Sequence, residues 1–228
     1  NDDVRILDFE KGSYWLYIKS VKDSNKKINS FIELDSDGNL SGKIIYRKVG
    51  QFANNYRVLR EKVKEDDYLA IYEKENINLL IEDYKVKNLN NLSKNIIETF
   101  DVSIEKDGDN LRINPFIIDR LKENPFKLKE RKYPVDFGFP FKEYHTVSIK
   151  FPSDLEIESL PKNLTMKLPN NGGKFVFKTS LEQNKISIFL MLSQTKKAYS
   201  SEEYIHLKEL YNQLIKIQNF TIKIKKKL

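Results

Sequence analysis

Two histidines, His145 and His206, are the side chains best suited to acid–base or metal chemistry, because the chain has no cysteine. Without cysteine there is no thiol nucleophile, no disulfide and no thiolate metal ligand. Each histidine lacks a partner nearby in the sequence with which it could form a catalytic pair or a zinc site. We therefore expect structural or exposed roles for both. We predict no catalytic residue, no metal ligand and no cofactor-binding residue.

Other motifs for catalysis or ligand binding are equally weak. Residues 35–39 (Asp-Ser-Asp-Gly-Asn) resemble a calcium loop, but the glycine is misplaced for an EF-hand and strand-like residues flank it. The paired glycines Gly172 and Gly173 do not lie between a strand and a helix, as a phosphate-binding loop requires. The 33 acidic residues do not single out two carboxylates for glycoside hydrolysis. The chain is therefore predicted not to be an enzyme by itself.

The composition predicts a folded chain with a strongly charged surface. Charged residues make up 32% of the chain, the formal charge is +7, and the 12 tyrosines and 14 phenylalanines argue against disorder. A positive charge can attract nucleic acid, anionic lipid or acidic glycan, but lysine and glutamate are interspersed and arginine is scarce. We favour a solvated exterior, and we expect no nucleic-acid partner.

Length and hydropathy exclude a membrane-spanning helix. The most apolar run, residues 186–192, has the length of a strand and falls far short of the roughly 20 residues of a spanning helix. The sequence starts with Asn1 rather than methionine, so we expect a piece of a longer protein.

The first part of the chain predicts a hairpin followed by helices. Residues 28–34 and 40–49 are strand-like and flank an Asp-Gly turn, after which apolar residues recur at helical spacing from residue 52 to 72. Residues 77–86 return to strand character. The asparagine-rich residues 88–95 are interpreted as a boundary, which divides the chain into a hairpin-and-helix unit, 1–90, and a second unit, 91–228.

The second part predicts an antiparallel β-sandwich. A second Asp-Gly hairpin is predicted around residues 106–110, a helical turn or two around 117–121, and short strands with turns every ten or so residues after that. Ser200 and Glu203 form a capping box before an amphipathic helix, and an alternating closing strand follows. The predicted fold is mainly β (α+β).

Two arginines are candidates for contact with a partner. Gly50 ends a strand and precedes a helix with the small Ala53, so Arg57 is predicted to reach a carboxylate or carbonyl near the sheet. An internal ion pair and a partner contact both remain open for Arg57. Arg131, at the start of an extended segment before Pro134, is the second candidate.

Several blocks, in their order and spacing, resemble one known family over nearly the whole chain. They are residues 34–40 (Leu-Asp-Ser-Asp-Gly-Asn-Leu), Gly50, Ala53, Arg57, residues 113–116 (Ile-Asn-Pro-Phe), 124–126 (Asn-Pro-Phe), 131–137 (Arg-Lys-Tyr-Pro-Val-Asp-Phe), 150–152 (Lys-Phe-Pro), 160–161 (Leu-Pro) and the helix of residues 204–214 with its closing strand. Together they resemble the C-terminal region of transglutaminase-like envelope proteins of Bacteroidota, in which β-rich domains of unknown function flank a papain-like catalytic domain.

This resemblance implies a non-catalytic accessory region. The family's cysteine–histidine–aspartate chemistry belongs to a domain upstream, and no catalytic residue carries over to a chain without cysteine. The implied partner is that catalytic domain or another envelope protein, and the implied location is the periplasm or cell envelope. The alternative from the residues alone is an independent binding module for an anionic glycan, lipid or nucleic acid.

Overall fold

The structure, a computed structural model, describes residues 2–18, 23–76, 78–106 and 112–227. Three α-helices occur in these residues: α1 (Gln51–Lys62), α2 (Glu65–Glu75) and α3 (Tyr204–Gln218). The strands are β1 (Asp2–Asp8), β2 (Gly12–Ile18), β3 (Ser24–Leu34), β4 (Leu40–Val49), β5 (Leu79–Lys87), β6 (Ile96–Ile104), β7 (Arg112–Ile113), β8 (Val135–Asp136), β9 (Phe141–Lys150), β10 (Leu155–Ser159), β11 (Leu164–Lys167), β12 (Gly173–Glu182), β13 (Lys185–Gln194), β14 (Ala198–Tyr199) and β15 (Ile222–Lys226).

A single eight-stranded sheet dominates the fold, in the order β11-β12-β13-β9-β3-β4-β6-β5. Its neighbouring strands are antiparallel except for β3 and β9, which run parallel. Three smaller pairings accompany it: the hairpin β1-β2, the sheet β10-β15-β7 and the pair β14-β8.

The β3–β4 hairpin forms where the sequence predicts it. The Asp35 carboxylate accepts hydrogen bonds from the backbone N–H groups of Gly38 and Asn39, at 2.7 and 2.8 Å. Gly38 has a φ of 97°, a conformation that glycine adopts without strain. Leu34 then faces Leu40 across the hairpin, and both side chains are buried. The interpretation of residues 35–39 as a turn is confirmed.

The predicted mainly β, α+β architecture is confirmed, with a C-terminal helix followed by a strand. The second part of the chain differs from the predicted antiparallel sandwich, because β6, β9 and β11–β13 join β3–β5 in one mixed sheet through the parallel contact of β3 with β9. Ser200 and Glu203 form the reciprocal pair of a capping box: the backbone N–H of Ser200 donates to Glu203 Oε2 at 3.1 Å, and that of Glu203 donates to Ser200 Oγ at 3.4 Å. This pair closes a turn just before α3 begins at Tyr204. Leu207, Leu210 and Leu214 of α3 are fully buried, as the stripe predicts.

Two sequence-based predictions about the middle of the chain are wrong. The strands predicted to form a second hairpin do not pair with each other, because β6 lies between β4 and β5 while β7 pairs with β15. Residues 107–110 of the predicted turn and Leu111 of its second strand lie outside the described residues. The helical turns predicted around residues 117–121 do not form, and the chain is irregular between β7 and β8. Ile117 and Ile118 are buried there by packing rather than by helical periodicity.

The sheet takes strands from both sides of residue 90. Residues 88–95, interpreted as a boundary, connect β5 to its antiparallel neighbour β6 within that sheet. The division into 1–90 and 91–228 stays a prediction.

The three helices and the irregular segment cover one face of the central sheet. Inward-facing residues of adjacent strands form continuous rows, such as Phe177, Leu190, His145, Ile28 and Tyr46, which face one another in register. The other face of the sheet carries polar and charged side chains between a few apolar ones, the pattern of a sheet with one solvated side.

Candidate interaction surface

A buried ion pair lies between the sheet and the first two helices. The Lys48 ammonium contacts the Glu98 carboxylate, which is fully buried. Glu98 Oε1 also accepts hydrogen bonds from the hydroxyls of Tyr68 and Tyr84, both at 2.8 Å. Burial lowers the pKa of Lys48. The nearby Asp119 carboxylate opposes this shift in the pKa, and the Lys26 ammonium adds to it. The adjacent Glu98 carboxylate also favours the charged form, so we treat Lys48 and Glu98 as an ion pair.

A second polar cluster lies beside the first on the same face. Lys26 Nζ lies 2.7 Å from Asp119 Oδ2 and 3.2 Å from Glu143 Oε1, and the Tyr46 hydroxyl donates to Asp119 at 2.7 Å. Burial raises the pKa of Asp119, but the Lys26 ammonium outweighs this and holds it below its usual value. Burial raises the pKa of Glu143. Within the described residues, these polar groups have partners inside the protein, which is typical of a structural network.

One of the two histidines is buried and the other is exposed. His145 is buried on β9 with its ring in edge contact with Phe116, 5.5 Å between ring centroids. His206 is exposed on α3. They lie on different elements, and no group of three metal-ligating side chains occurs in the parts of the chain that the structure describes.

Burial of His145 predicts a loss of stability in mild acid. Burial lowers the pKa of the imidazole to about 4, against the opposing effect of Asp119. The unfolded chain, with a histidine pKa near 6.5, therefore binds the proton first, and stability is lost as the pH falls from about 6.5 towards 4. Urea unfolding should show about 2 kcal/mol less stability at pH 5 than at pH 7.5 from this group. A His145→Phe variant should lose that part of the pH dependence; an unchanged profile would contradict the assignment.

Arg57 has an internal partner. It is buried on α1, and Nε donates to the carbonyl of Leu89 at 2.9 Å. Nη2 lies within hydrogen-bonding distance of the carbonyls of Asn88, Asn91 and Lys94, between 2.7 and 3.2 Å. The arginine thus organises the asparagine-rich connection between β5 and β6 through carbonyls rather than through an ion pair. Contact with a partner stays a prediction, for which the buried guanidinium leaves little surface.

Arg131 is more accessible. It is partly exposed in the irregular segment, and its guanidinium lies 5.9 Å from the ring centroid of Tyr204 on α3. Its contact with a partner also stays a prediction.

The N-terminal hairpin exposes apolar side chains on both of its faces. Val4 faces Leu16 and Ile6 faces Tyr14 on one side, so that side is apolar. On the other side Trp15, which is 67% exposed, lies opposite Arg5. None of these side chains belongs to the hydrophobic core of the described residues. A two-stranded hairpin of this kind is marginally stable by itself in water.

The solvated face of the central sheet is the second exposed surface, which we call the basic sheet face. Its lysines and arginine outnumber its acidic residues. The cations are Lys27, Lys43, Arg47, Lys142, Lys150, Lys174, Lys178 and Lys185, and the acids are Glu33, Asp101 and Glu182. The edge strands β5 and β11 add Lys85, Lys87, Lys167 and Asp83. Tyr144 and Phe189 lie near its centre with their ring centroids 6.5 Å apart. Within the described residues, no helix has the length and apolar character needed to cross a bilayer.

Comparison with known families identifies the family to which the second half of the chain is similar. Residues 109–224 match the family described as Domain of Unknown Function with solved-structure structure (DUF3858). The chain belongs to the DUF3858 family. No curated protein and no solved structure matches it. The DUF3858 match begins beside β7 and ends within β15, so it includes β9 and β11–β13 of the central sheet, while β3–β6 of the same sheet precede it.

The DUF3858 chain has a surface feature that the sequence alone does not reveal. The basic sheet face combines residues from β3, β4, β9, β12 and β13, whose neighbourhood depends on strand order. The alternation within each strand marks the outward residues, but no local pattern reveals that β9 lies beside β3. The lysines were therefore interpreted as dispersed charge.

Proposed function

We propose that this DUF3858 chain is a non-catalytic interaction region that docks on another protein surface through its N-terminal hairpin. The observation that carries the proposal is the hairpin itself, which exposes Leu16, Trp15 and Tyr17 without packing them into the core. Burial of such side chains against a partner would stabilise a hairpin that is marginal alone.

The proposed partner is the catalytic domain of the same polypeptide, in a transglutaminase-like envelope protein of Bacteroidota. The resemblance in sequence blocks supports this choice, and the DUF3858 match agrees with its coarser part, a domain of unknown function. The chain has no cysteine to act as the nucleophile of that family, so the reactive residues would belong to the partner. A periplasmic or cell-envelope location follows from the same proposal.

Trp15, the only tryptophan, provides a direct test. The chain is mixed with the separately produced catalytic domain, and the fluorescence of Trp15 is followed at an excitation that favours tryptophan, with a tryptophan-free variant of the partner. We expect a shift to shorter wavelength on binding, because the indole leaves water. Cross-linking followed by gel filtration should show a one-to-one complex.

A matched pair of variants tests whether the hairpin is the contact. Leu16 and Leu181 have similar exposure, 48% and 46%, but Leu181 lies on β12 of the central sheet. Leu16→Ser should weaken the complex by about tenfold, the effect of losing one buried leucine side chain, and Leu181→Ser should not. Absence of a complex, or equal weakening by both substitutions, would refute docking through the hairpin. The alternative function is that of a binding module for an anionic glycan, lipid or nucleic acid, and it would use the basic sheet face as the binding surface.

A further inference from the structure

Three cations meet on the basic sheet face without an acidic partner. Lys27 on β3 lies directly opposite Arg47 on β4, and on its other side it lies opposite Tyr144 on β9. Lys142 precedes Tyr144 by two residues and projects from the same face. All three cations are exposed. We call Lys27, Arg47 and Lys142 the cationic cluster.

The arrangement of the cationic cluster is unfavourable for the isolated protein. Like charges directly opposite each other on neighbouring strands lower the stability of a sheet. Two other cations on this face do have acids nearby, since Lys43 lies 3.2 Å from Asp101 and Lys150 lies 3.5 Å from Glu33. In the described part of the chain, no carboxylate lies within ion-pair distance of the cationic cluster. Lys27 instead lies 5.2 Å from the centroid of the Tyr144 ring.

Apolar side chains border the cationic cluster. Met191 lies opposite Tyr144, and Phe189 and Ile45 lie in the next row of the same face. All are partly buried by their neighbours and keep some surface exposed. A ligand on this part of the sheet would therefore meet positive charge and hydrocarbon side by side.

We propose that the cationic cluster is a binding site for an acidic polypeptide segment that carries apolar side chains next to its carboxylates. Carboxylates would compensate Lys27, Arg47 and Lys142, and the neighbouring apolar side chains would cover Met191, Phe189 and Ile45. This site is separate from the hairpin, so it extends the proposed function to a second contact surface.

The chemistry of the cationic cluster favours an acidic polypeptide over nucleic acid or a sulfated glycan. The Lys27 ammonium lies over one face of the Tyr144 ring, so that face is not free to stack on a base as single-stranded nucleic-acid platforms require. Neither ligand brings the aliphatic groups that the bordering residues would bury.

The probe for the test is a labelled extended peptide with glutamate, glutamate, leucine and leucine at alternate positions and serine between them. Alternate residues of an extended chain project to the same side, so the acidic and apolar groups can reach the sheet together. Binding to the full chain is measured by fluorescence anisotropy at low and physiological salt. Oligothymidylate and heparin fragments of equal charge serve as comparison ligands.

Two double variants remove the same charge from different ends of the face. Lys27→Gln with Arg47→Gln removes the pair in the cationic cluster, and Lys150→Gln with Lys185→Gln removes another pair that lies directly opposite across β9 and β13. The first should weaken peptide binding by about tenfold or more and the second by less than about threefold. The first should not lower the melting temperature, because it removes facing like charges. The second should change it little, because the ion pair of Lys150 with Glu33 that it also removes is exposed.

Each outcome decides the proposal. Selective loss in the Lys27 and Arg47 variant supports the site. Equal loss in both variants, no peptide binding at low salt, or tighter binding of oligothymidylate or heparin would overturn it. Because these substitutions leave the hairpin intact, a failure here is distinguishable from a failure of docking through Leu16 and Trp15.

Discussion

A Lys48→Met variant is expected to lose about 3–5 kcal/mol of unfolding free energy, because removal of one partner from a buried ion pair leaves the other charge uncompensated. The residue left behind is Glu98, which is fully buried on β6. The hydroxyls of Tyr68 and Tyr84 would still donate to it, but they bring no positive charge. Urea unfolding at neutral pH measures the loss.

The same two strands provide the control. Lys43 on β4 and Asp101 on β6 form an exposed ion pair on the opposite face of the sheet. Lys43→Met should change stability by less than about 1 kcal/mol, as is usual for surface pairs. Combining Lys48→Met with Glu98→Gln should recover much of the loss, since no buried charge is then left unpaired. Similar losses for Lys43→Met and Lys48→Met would contradict a buried, charged pair.

Arg57→Ala is expected to have an effect of similar size, about 3–5 kcal/mol, equivalent to the loss of two charge-assisted hydrogen bonds in a buried network. Its guanidinium binds carbonyls from Asn88 to Lys94, and alanine would leave them without that donor. Amide hydrogen exchange should accelerate most in residues 88–95, because Arg57 holds that connection. The combined measurement is urea unfolding with exchange followed by mass spectrometry.

Arg57→Lys separates charge from geometry. Lysine keeps the positive charge, but it has no planar fork with which to reach several carbonyls. The stability of the Arg57→Lys variant should therefore lie between those of the wild type and the Arg57→Ala variant. If exchange in residues 88–95 were unchanged in Arg57→Ala, the guanidinium would not organise that connection. A role limited to partner contact would then become the better explanation.

Short sequence patterns, such as turns and the alternation of apolar residues, predict most of the individual helices and strands. The β3–β4 hairpin is specified by its Asp-Gly turn, and α3 by an apolar stripe that follows the turn closed by Ser200 and Glu203, all within a few residues of one another. The alternation of residues 147–151 predicts the inward face of β9, and Val147, Ile149 and Phe151 are indeed buried. These features depend only on neighbours in the sequence.

Arrangements between distant residues could not be predicted in this way. The pairing of β3 with β9 joins Ser24 to Phe141, and no turn links them. The buried polar clusters were missed for a related reason. Lys48 shares the inward register of Ile44 and Tyr46, a signal that it is buried, but only the fold shows that Glu98 lies within reach. Arg57 was predicted to reach a carboxylate or carbonyl, and the fold decides for carbonyls.

The parallel contact between β3 and β9 bears on how this protein should be produced. A fragment limited to residues 109–224 would retain β9 but lose the strand beside it, so a row of unpaired N–H and C=O groups would face water along a ten-residue edge. Exposed edges of that length recruit other chains and promote aggregation. Soluble expression should therefore require the polypeptide from Ser24 onward, even though the recognised family begins much later.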